Sequence, residues 1–434
     1  MRKCLCLAVI LCFLILGAVL VFCYREQIFT VGHQQHSSST RTSTGNGGAD
    51  PQPPKRSSPE TSQSIEALYH VNKTIIQDAA LHKVFYGIDY TPRGSQEPDC
   101  KVNLGHVIED IKVLSQLTSR IRLYGMACQQ TELVFKAIEY LRLSSDMQVI
   151  VTLWVDHDKV TWEKQKRAFW DLIDHDMTLE TDSSKMKGQG SVTISRVASR
   201  IMGVSVGNEV PFRNEEHKGN TGYIPVDLLE GYIQEIRQGL ASRAATAIVT
   251  ATSSTDTTMA ALAQHLTQIP VFSSDLGRNA HQIVDSVDWV MSNIHPFFAY
   301  TSAEEAADWT FKNFKTETVQ AASRKPAIIS EVGWPSGPSS ANLGSAVPSR
   351  ENLQTFLDAW VCQANKRNIP YYFFEAFDEP WKSTINTREA QWGIMTVDRK
   401  LKVTIPTCLV ILKHKKHKAT MANGPGDQQP KRER

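Results

Sequence analysis

The chain has 434 residues, enough for one large domain or two ordinary ones. Its 47 basic and 45 acidic residues leave a net charge of +2, which argues against nucleic acid as a partner. Nine tryptophans and eleven tyrosines suit a sugar-binding surface and a large core equally, so they decide nothing.

Cys4–Cys23, "CLCLAVILCFLILGAVLVFC", is twenty residues without a charge, and that length crosses a hydrocarbon core of about 30 Å as a helix. A secretory signal has a shorter apolar region and a small-residue cleavage site, and "VFC" before Tyr24 is a poor one. With Arg2 and Lys3 before it, the segment reads as a signal-anchor over 4–24, with residues 1–3 in the cytosol. The expectation is a single-pass type II protein of the plasma membrane, held there by this helix, with an extracellular catalytic domain. Secretion to the cell wall after signal cleavage is the alternative. Residues 25–80, rich in Ser, Thr and Pro, are too polar to bury a core and read as a disordered stem. In "NKT", Asn72 is an N-glycosylation acceptor.

Over 81–402 short apolar runs alternate with amphipathic ones. The strand candidates are 83–90, 120–125, 148–155, 201–207, 269–275, 289–296, 326–332 and 370–377. Between them, "LGHVIEDIKVLSQL" places Leu104, Val107, Ile108, Ile111, Val113, Leu114 and Leu117 at helical spacing. "TELVFKAIEYLRL", "IPVDLLEGYIQEIRQGL", "SAEEAADWTFKNF" and "SRENLQTFLDAWVCQAN" follow the same logic, several opening on a Ser or Thr N-cap. Eight such strands imply an α/β protein with a (β/α)8 TIM barrel, here preceded by the transmembrane helix and stem. An open doubly wound sheet would favour a glycine-rich phosphate turn after the first strand, and "YGIDYTPRGSQ" is not one. Two stretches, 177–193 and 244–268, each connect a helix to the next strand and belong on the face away from the strand ends. Within the second, "AIVTATSS" competes with "IPVFSSD" for the fifth strand; the polar Ser-Asp ending favours the latter. Residues 403–434 read as a basic, mostly disordered tail.

"IMGVSVGNEV" and "PAIISEVGWPS" each carry an apolar strand straight into a carboxylate, Glu209 and Glu331. In a barrel those positions open onto one mouth at the C-terminal face. Two carboxylates there suit glycosidic-bond cleavage, one held protonated to donate to the leaving oxygen and one ionised to attack C1.

"RLYG", "WVD", "VGNE", "NIHPFF", "SEVGWPSG", "AVPS" and "FFEAFDEPWK", in that order, resemble glycoside hydrolase family 17, in particular its fungal β-1,3-glucan-active branch. The resemblance spans about 85–393. It implies a retaining enzyme, with Glu209 as acid/base and Glu331 as nucleophile. It implies that Asn208 binds the sugar 2-hydroxyl, that Asp156 and Asp158 accept from sugar hydroxyls, and that Arg122 and Tyr124, which share a face of strand two, belong to the substrate site, where the Arg122 guanidinium could help keep Glu331 ionised. Asn293 and His295 end strand six and are implied to bind substrate, and Phe297 follows as an aromatic wall for a pyranose face. Trp334 and Trp381 either stack on sugars or belong to the core. Glu375 and Asp378 hydrogen-bond the substrate, and Tyr86 on strand one completes the set. No metal or other cofactor is implied, and the enzyme is expected to be monomeric with β-1,3-glucan as its partner.

Four cysteines lie beyond the anchor. An even number there invites disulfides: Cys100 and Cys128 on neighbouring loops after strands one and two, Cys362 and Cys408 near the C-terminus. Two rivals stand beside the glycosidase. An anchor, a stem and "VDHD" also fit a Golgi glycosyltransferase using a metal-binding D-x-D, and a barrel of this kind can serve as a non-catalytic glucan-binding wall protein.

Overall fold

The computed structural model describes residues 72–182, 197–216, 224–254, 257–384 and 386–408. Eight parallel strands close into a barrel in chain order. They are β1 (Gly87–Asp89), β2 (Arg120–Arg122), β3 (Gln148–Leu153), β4 (Ile201–Asn208), β5 (Val271–Leu276), β6 (Val290–Asn293), β7 (Ala327–Val332) and β8 (Tyr371–Phe373). Closure comes from β1 on β8, where Gly87 pairs with Tyr372 and Ile88 with Phe373. Runs such as Val149–Ile150–Val151 are wholly buried, as expected where helices cover the outer face of a parallel sheet and side chains fill the inner one.

The longer helices are α1 (Leu104–Leu117), α2 (Gln130–Tyr140), α3 (Lys159–Asp182), α4 (Val210–Glu216), α5 (Val226–Ser254), α6 (Thr257–Gln268), α7 (Ala303–Asn313) and α8 (Arg350–Lys366). Their starts are chemically marked. Asn103 accepts from His106 N at the head of α1, and Ser349 from Asn352 N at the head of α8, each satisfying a backbone donor the helix leaves over. In α1 the expected apolar stripe is buried at Leu104, Val107, Ile108, Ile111, Leu114 and Leu117, while Val113 is only partly buried against the core. α3 escaped the sequence reading although Trp162, Phe169 and Ile173 mark its buried face. The stretch 244–268 is helical, shared between α5 and α6. The rival strand "AIVTATSS" lies within α5, where Ala244 and Ala247 are buried at a spacing of one turn. Of the stretch 177–193, residues to Asp182 prolong α3 and the rest lie outside the described residues.

The membrane part of the sequence reading needs correction. Among the described residues no helix is long and apolar enough to cross a membrane, and Cys4–Cys23 lies outside them, as does the stem up to residue 71. The fold of the described residues is therefore the barrel, and the expected transmembrane helix, the type II plasma-membrane placement and the membrane as a partner are withdrawn.

Cys100 is bonded to Cys128 and Cys362 to Cys408. The first bridge joins the loops after β1 and β2. The second ties α8 to residues 403–408, where Val403 and Ile405 are buried. Nearby, His82 meets the Pro406 carbonyl at 2.9 Å and Asn365 Nδ2 donates to the Val84 carbonyl at 2.8 Å. Asn72 is exposed and its Oδ1 accepts from Thr74 N at 2.9 Å.

Cys362→Ala with Cys408→Ala removes a cross-link spanning 46 residues, worth about 4 kcal/mol by the chain-entropy relation. The expected outcome is a thermal midpoint several degrees lower with the far-ultraviolet circular dichroism of the barrel retained. An unchanged midpoint would contradict it.

Candidate active site

Arg122, at the end of β2, is fully buried at the barrel mouth. Its Nη1 lies 2.8 Å from Glu331 Oε1, 3.2 Å from Asp89 Oδ1 and 2.8 Å from the Tyr124 hydroxyl. Its Nη2 donates to Asn208 Oδ1 at 2.8 Å. Tyr124, two residues along the strand and so on the same side, donates to Glu331 Oε1 at 2.9 Å. His295 Nε2 reaches the other oxygen of Glu331 at 3.1 Å. Asn293 Nδ2 spans Glu209 Oε1 at 2.8 Å and Asn208 Oδ1 at 3.1 Å, and its own Oδ1 accepts from Ser330 Oγ at 2.6 Å. One bonded network thus links the ends of β1, β2, β4, β6 and β7.

Local backbone irregularities aim these groups. Register shifts interrupt the ladder between Ser205 and Asn208 and between Ser292 and Asn293, as bulges do where a strand must redirect side chains. Gly207 has φ +74° and Glu209 itself φ +55°. The first suits glycine; the second is an uncommon conformation for glutamate, tolerated when neighbours hold it. Here Glu209 N donates to the Ser274 carbonyl at 2.7 Å, and Arg213 N and Nε both donate to the Glu209 carbonyl, at 2.9 and 3.3 Å. Gly333 is fixed by space: a Cβ there would stand 1.9 Å from the Phe374 carbonyl oxygen.

The two glutamates are held in opposite protonation states. Burial, followed by the neighbouring Glu331 charge, pushes the Glu209 carboxyl up to about 8. Burial alone would raise Glu331 too, but the His295 hydrogen bond and the Arg122 charge outweigh it and bring it down to about 2. Asp89 shares Arg122 yet goes the other way, raised by burial. It has the longer contact to the guanidinium, and its Oδ2 meets no protein donor.

Other expected site residues lie elsewhere. Tyr86 precedes β1 at the barrel's closed end, against Arg120, Tyr371 and Tyr372. Residues at strand starts face away from the mouth, so it cannot join the site. Phe297 and Trp334 are 0% exposed and pack edge to face, with Trp334 Nε1 donating to the Val347 carbonyl. The aromatic surface at this edge is instead Phe298, 42% exposed, beside His295 and Trp392. Trp381 is 39% exposed. Asp156 sits on the rim bonded to His157. Asp158 caps α3, accepting from Val160 N at 2.8 Å. Glu375 is buried beside Lys382, which also pairs with Glu379. Asp378 is bonded to Lys402 Nζ at 2.6 Å.

Asp89, Asp275, Ser330, Lys382 and Arg213 were missed. Asp89 and Asp275 carry the same signal as the two glutamates, an apolar strand ending in an acid. Asp275 accepts from Phe212 N, Leu276 N and Asn279 Nδ2, and burial pushes it up to about 6.

The sequence profile of the BtgE/BtgC glycoside hydrolase domain matches residues 87–393. The chain belongs to this family. The putative glucan endo-1,3-β-glucosidase btgC of Aspergillus niger is 35% identical over 360 residues, covering 77% of this chain and 46% of its own. The glucan endo-1,3-β-glucosidase btgC of Emericella nidulans is 33% identical over 370 residues, covering 80% and 50%. The chain thus spans about half the length of these curated relatives. Among solved structures, the Rhizomucor miehei glycoside hydrolase family 17 β-1,3-glucanosyltransferase superimposes with a TM-score of 0.54 at 25% identity, covering 74% of this chain and 97% of that one. An endo-laminarinase from Formosa Hel1_33_131 shares the fold, with a TM-score of 0.51 at 16% identity, covering 74% and 85%. The family resemblance read from the motifs therefore holds over the barrel.

A raised carboxyl pKa has a signed consequence for stability. Folded Glu209 keeps its proton to about pH 8, whereas the unfolded side chain loses it near 4.3. The folded state therefore binds more protons between these values, and stability falls as pH rises through that window. Glu209→Gln removes the effect. Its melting temperature is expected to match wild type near pH 4 and to exceed it at pH 8; parallel curves at both pH values would contradict this.

Proposed function

We propose that this barrel is a retaining glycosidase that cleaves β-1,3-glucan through a covalent glycosyl-enzyme and passes the glycosyl group to water or to a sugar hydroxyl. The observation that carries the proposal is the pairing of a protonated Glu209 with an ionised Glu331 across one hydrogen-bonded mouth. Glu331 attacks C1 while Glu209 gives its proton to the leaving oxygen. Glu209, now a carboxylate, then removes a proton from the incoming water or hydroxyl as the glycosyl–Glu331 bond breaks.

Arg122, Tyr124 and His295 keep Glu331 anionic and oriented for attack. Asn208 accepts from two donors, Arg122 and Asn293, through Oδ1. That fixes the amide orientation and directs its NH₂ at the 2-hydroxyl, where a bond strengthens as the oxocarbenium develops. Glu375, with Lys382 beside it, is assigned to sugar hydroxyls farther along the cleft, and Phe298 and Trp381 offer ring faces for pyranose stacking.

The substrate assignment draws on the relatives, described as glucan endo-1,3-β-glucosidases and a β-1,3-glucanosyltransferase. Endo action follows the first group. The glycosyltransferase rival loses support because Asp158 of the D-x-D spends its side chain on capping α3. The non-catalytic rival would have no need of two glutamates held in opposite charge states. Two disulfides favour folding in an oxidising compartment, consistent with a secreted, wall-facing enzyme with Asn72 available for glycosylation.

Laminari-oligosaccharides given without added metal, with products resolved by length over time, test the assignment. Shorter chains alone mean hydrolysis, chains longer than the donor mean transfer, and no turnover sinks the proposal. Glu331→Gln is expected to abolish glycosyl-enzyme formation. Glu209→Gln is expected to lower kcat on laminari-oligosaccharides by about 10²–10⁴-fold while sparing the first step on an activated aryl β-glucoside. Equal loss on both substrate types would rule out the acid role.

A further inference from the structure

Arg213 has no part in the steps above, yet it is wrapped around the backbone of Glu209. It lies in the first turn of α4, directly after the glutamate. Its Nη2 donates to the Val155 carbonyl at 2.8 Å and the Asn208 carbonyl at 3.1 Å, and its Nε to the Glu209 carbonyl at 3.3 Å. The guanidinium lies 4.9 Å from the Trp154 ring centroid. Trp154 is itself anchored, its N–H donating to Gln165 Oε1 at 3.2 Å. One planar cation thus bridges the ends of β3 and β4 through three carbonyls. One of those carbonyls belongs to the residue with φ +55°.

We infer that Arg213 is a positioning residue for Glu209, holding its left-handed backbone in place and setting a positive charge beside its carboxyl. The inference rests on the reading of Glu209 as acid/base. A fork of this kind is a property of guanidinium; an ammonium carries the same charge but has no rigid planar array of donors.

The charges around Glu209 come from several elements. Glu331 on β7 and Asp275 on β5 oppose its ionisation, and Arg213 on α4 favours it. Asn293 on β6 donates to it directly. Arg122 on β2 and His295 after β6 are engaged with Glu331, and Asp156 after β3 acts on Arg213. Removing Arg213 therefore leaves Glu209 facing two acids with less opposing charge, and its proton should be held to higher pH.

Two variants separate the backbone role from the charge. Arg213→Gln loses both; Arg213→Lys keeps the charge and loses the fork. Both are expected to lower kcat on laminari-oligosaccharides by about 10–100-fold, the scale of a small misplacement of a reacting group. An activated aryl β-glucoside should be less affected in its first step. The alkaline limb of the pH–rate profile should move to higher pH in Arg213→Gln and stay in place in Arg213→Lys. The titration of Glu209 in the intact protein, followed by carbon-13 carboxyl resonances and assigned by its loss in Glu209→Gln, gives the same comparison without turnover.

A Glu209 titration unchanged in Arg213→Gln overturns the inference whatever the activity, as does a wild-type rate in both variants. Wild-type protein that fails to turn over any laminari-oligosaccharide, with the titration still shifted in Arg213→Gln, would sink the substrate assignment while supporting the hold of Arg213 on Glu209.

Discussion

A single buried cation organises the barrel mouth. Arg122 cannot shed its charge, and moving a guanidinium out of water costs several kcal/mol unless partners compensate. The strand ends around it supply those partners as oxygens: Asp89 from β1, Asn208 from β4, and Glu331 with the Ser330 carbonyl from β7. The demand for compensation therefore fixes side chains from elements far apart in sequence relative to one another. Geometry that chemistry requires at the Angstrom level follows from solvation that folding requires anyway.

The same cation divides the carboxyls. Glu331 gains Arg122, Tyr124 and His295, whereas among the described residues the Glu209 carboxyl gains the neutral amide of Asn293 as its hydrogen-bond donor and faces the charge that Glu331 keeps. Two identical side chains are thus driven apart in proton affinity by partner count rather than by depth. Asn208 and Asn293 couple the two halves, because each amide touches one acid or the cation and also the other amide.

The barrel was legible because its evidence is repetitive: eight apolar runs separated by amphipathic segments survive errors in any one boundary. Glu209 and Glu331 were legible because an acid at the end of an apolar strand violates the local pattern. The same rule would have found Asp89 and Asp275, which the family motifs drew attention away from. Residues whose place depends on packing direction were not legible. Phe297 and Phe298 are neighbours in sequence, yet the turn after β6 buries the first and exposes the second. Trp334 follows β7 but turns into the aromatic layer beneath the mouth. Tyr86 was misplaced by polarity along the strand, since only strand ends, and not strand starts, reach the site. Asp158 looked like a ligand and is a helix cap.

The contacts that gather the barrel's outer segments also give the molecule a direction. His82 meets Pro406, Asn365 meets Val84, and Cys362 holds Cys408, all near the starts of the strands. Residues 82–84 and 403–408 are therefore clasped at one pole of the barrel and the mouth opens at the opposite one, so this clasp can be altered without touching the carboxyl network.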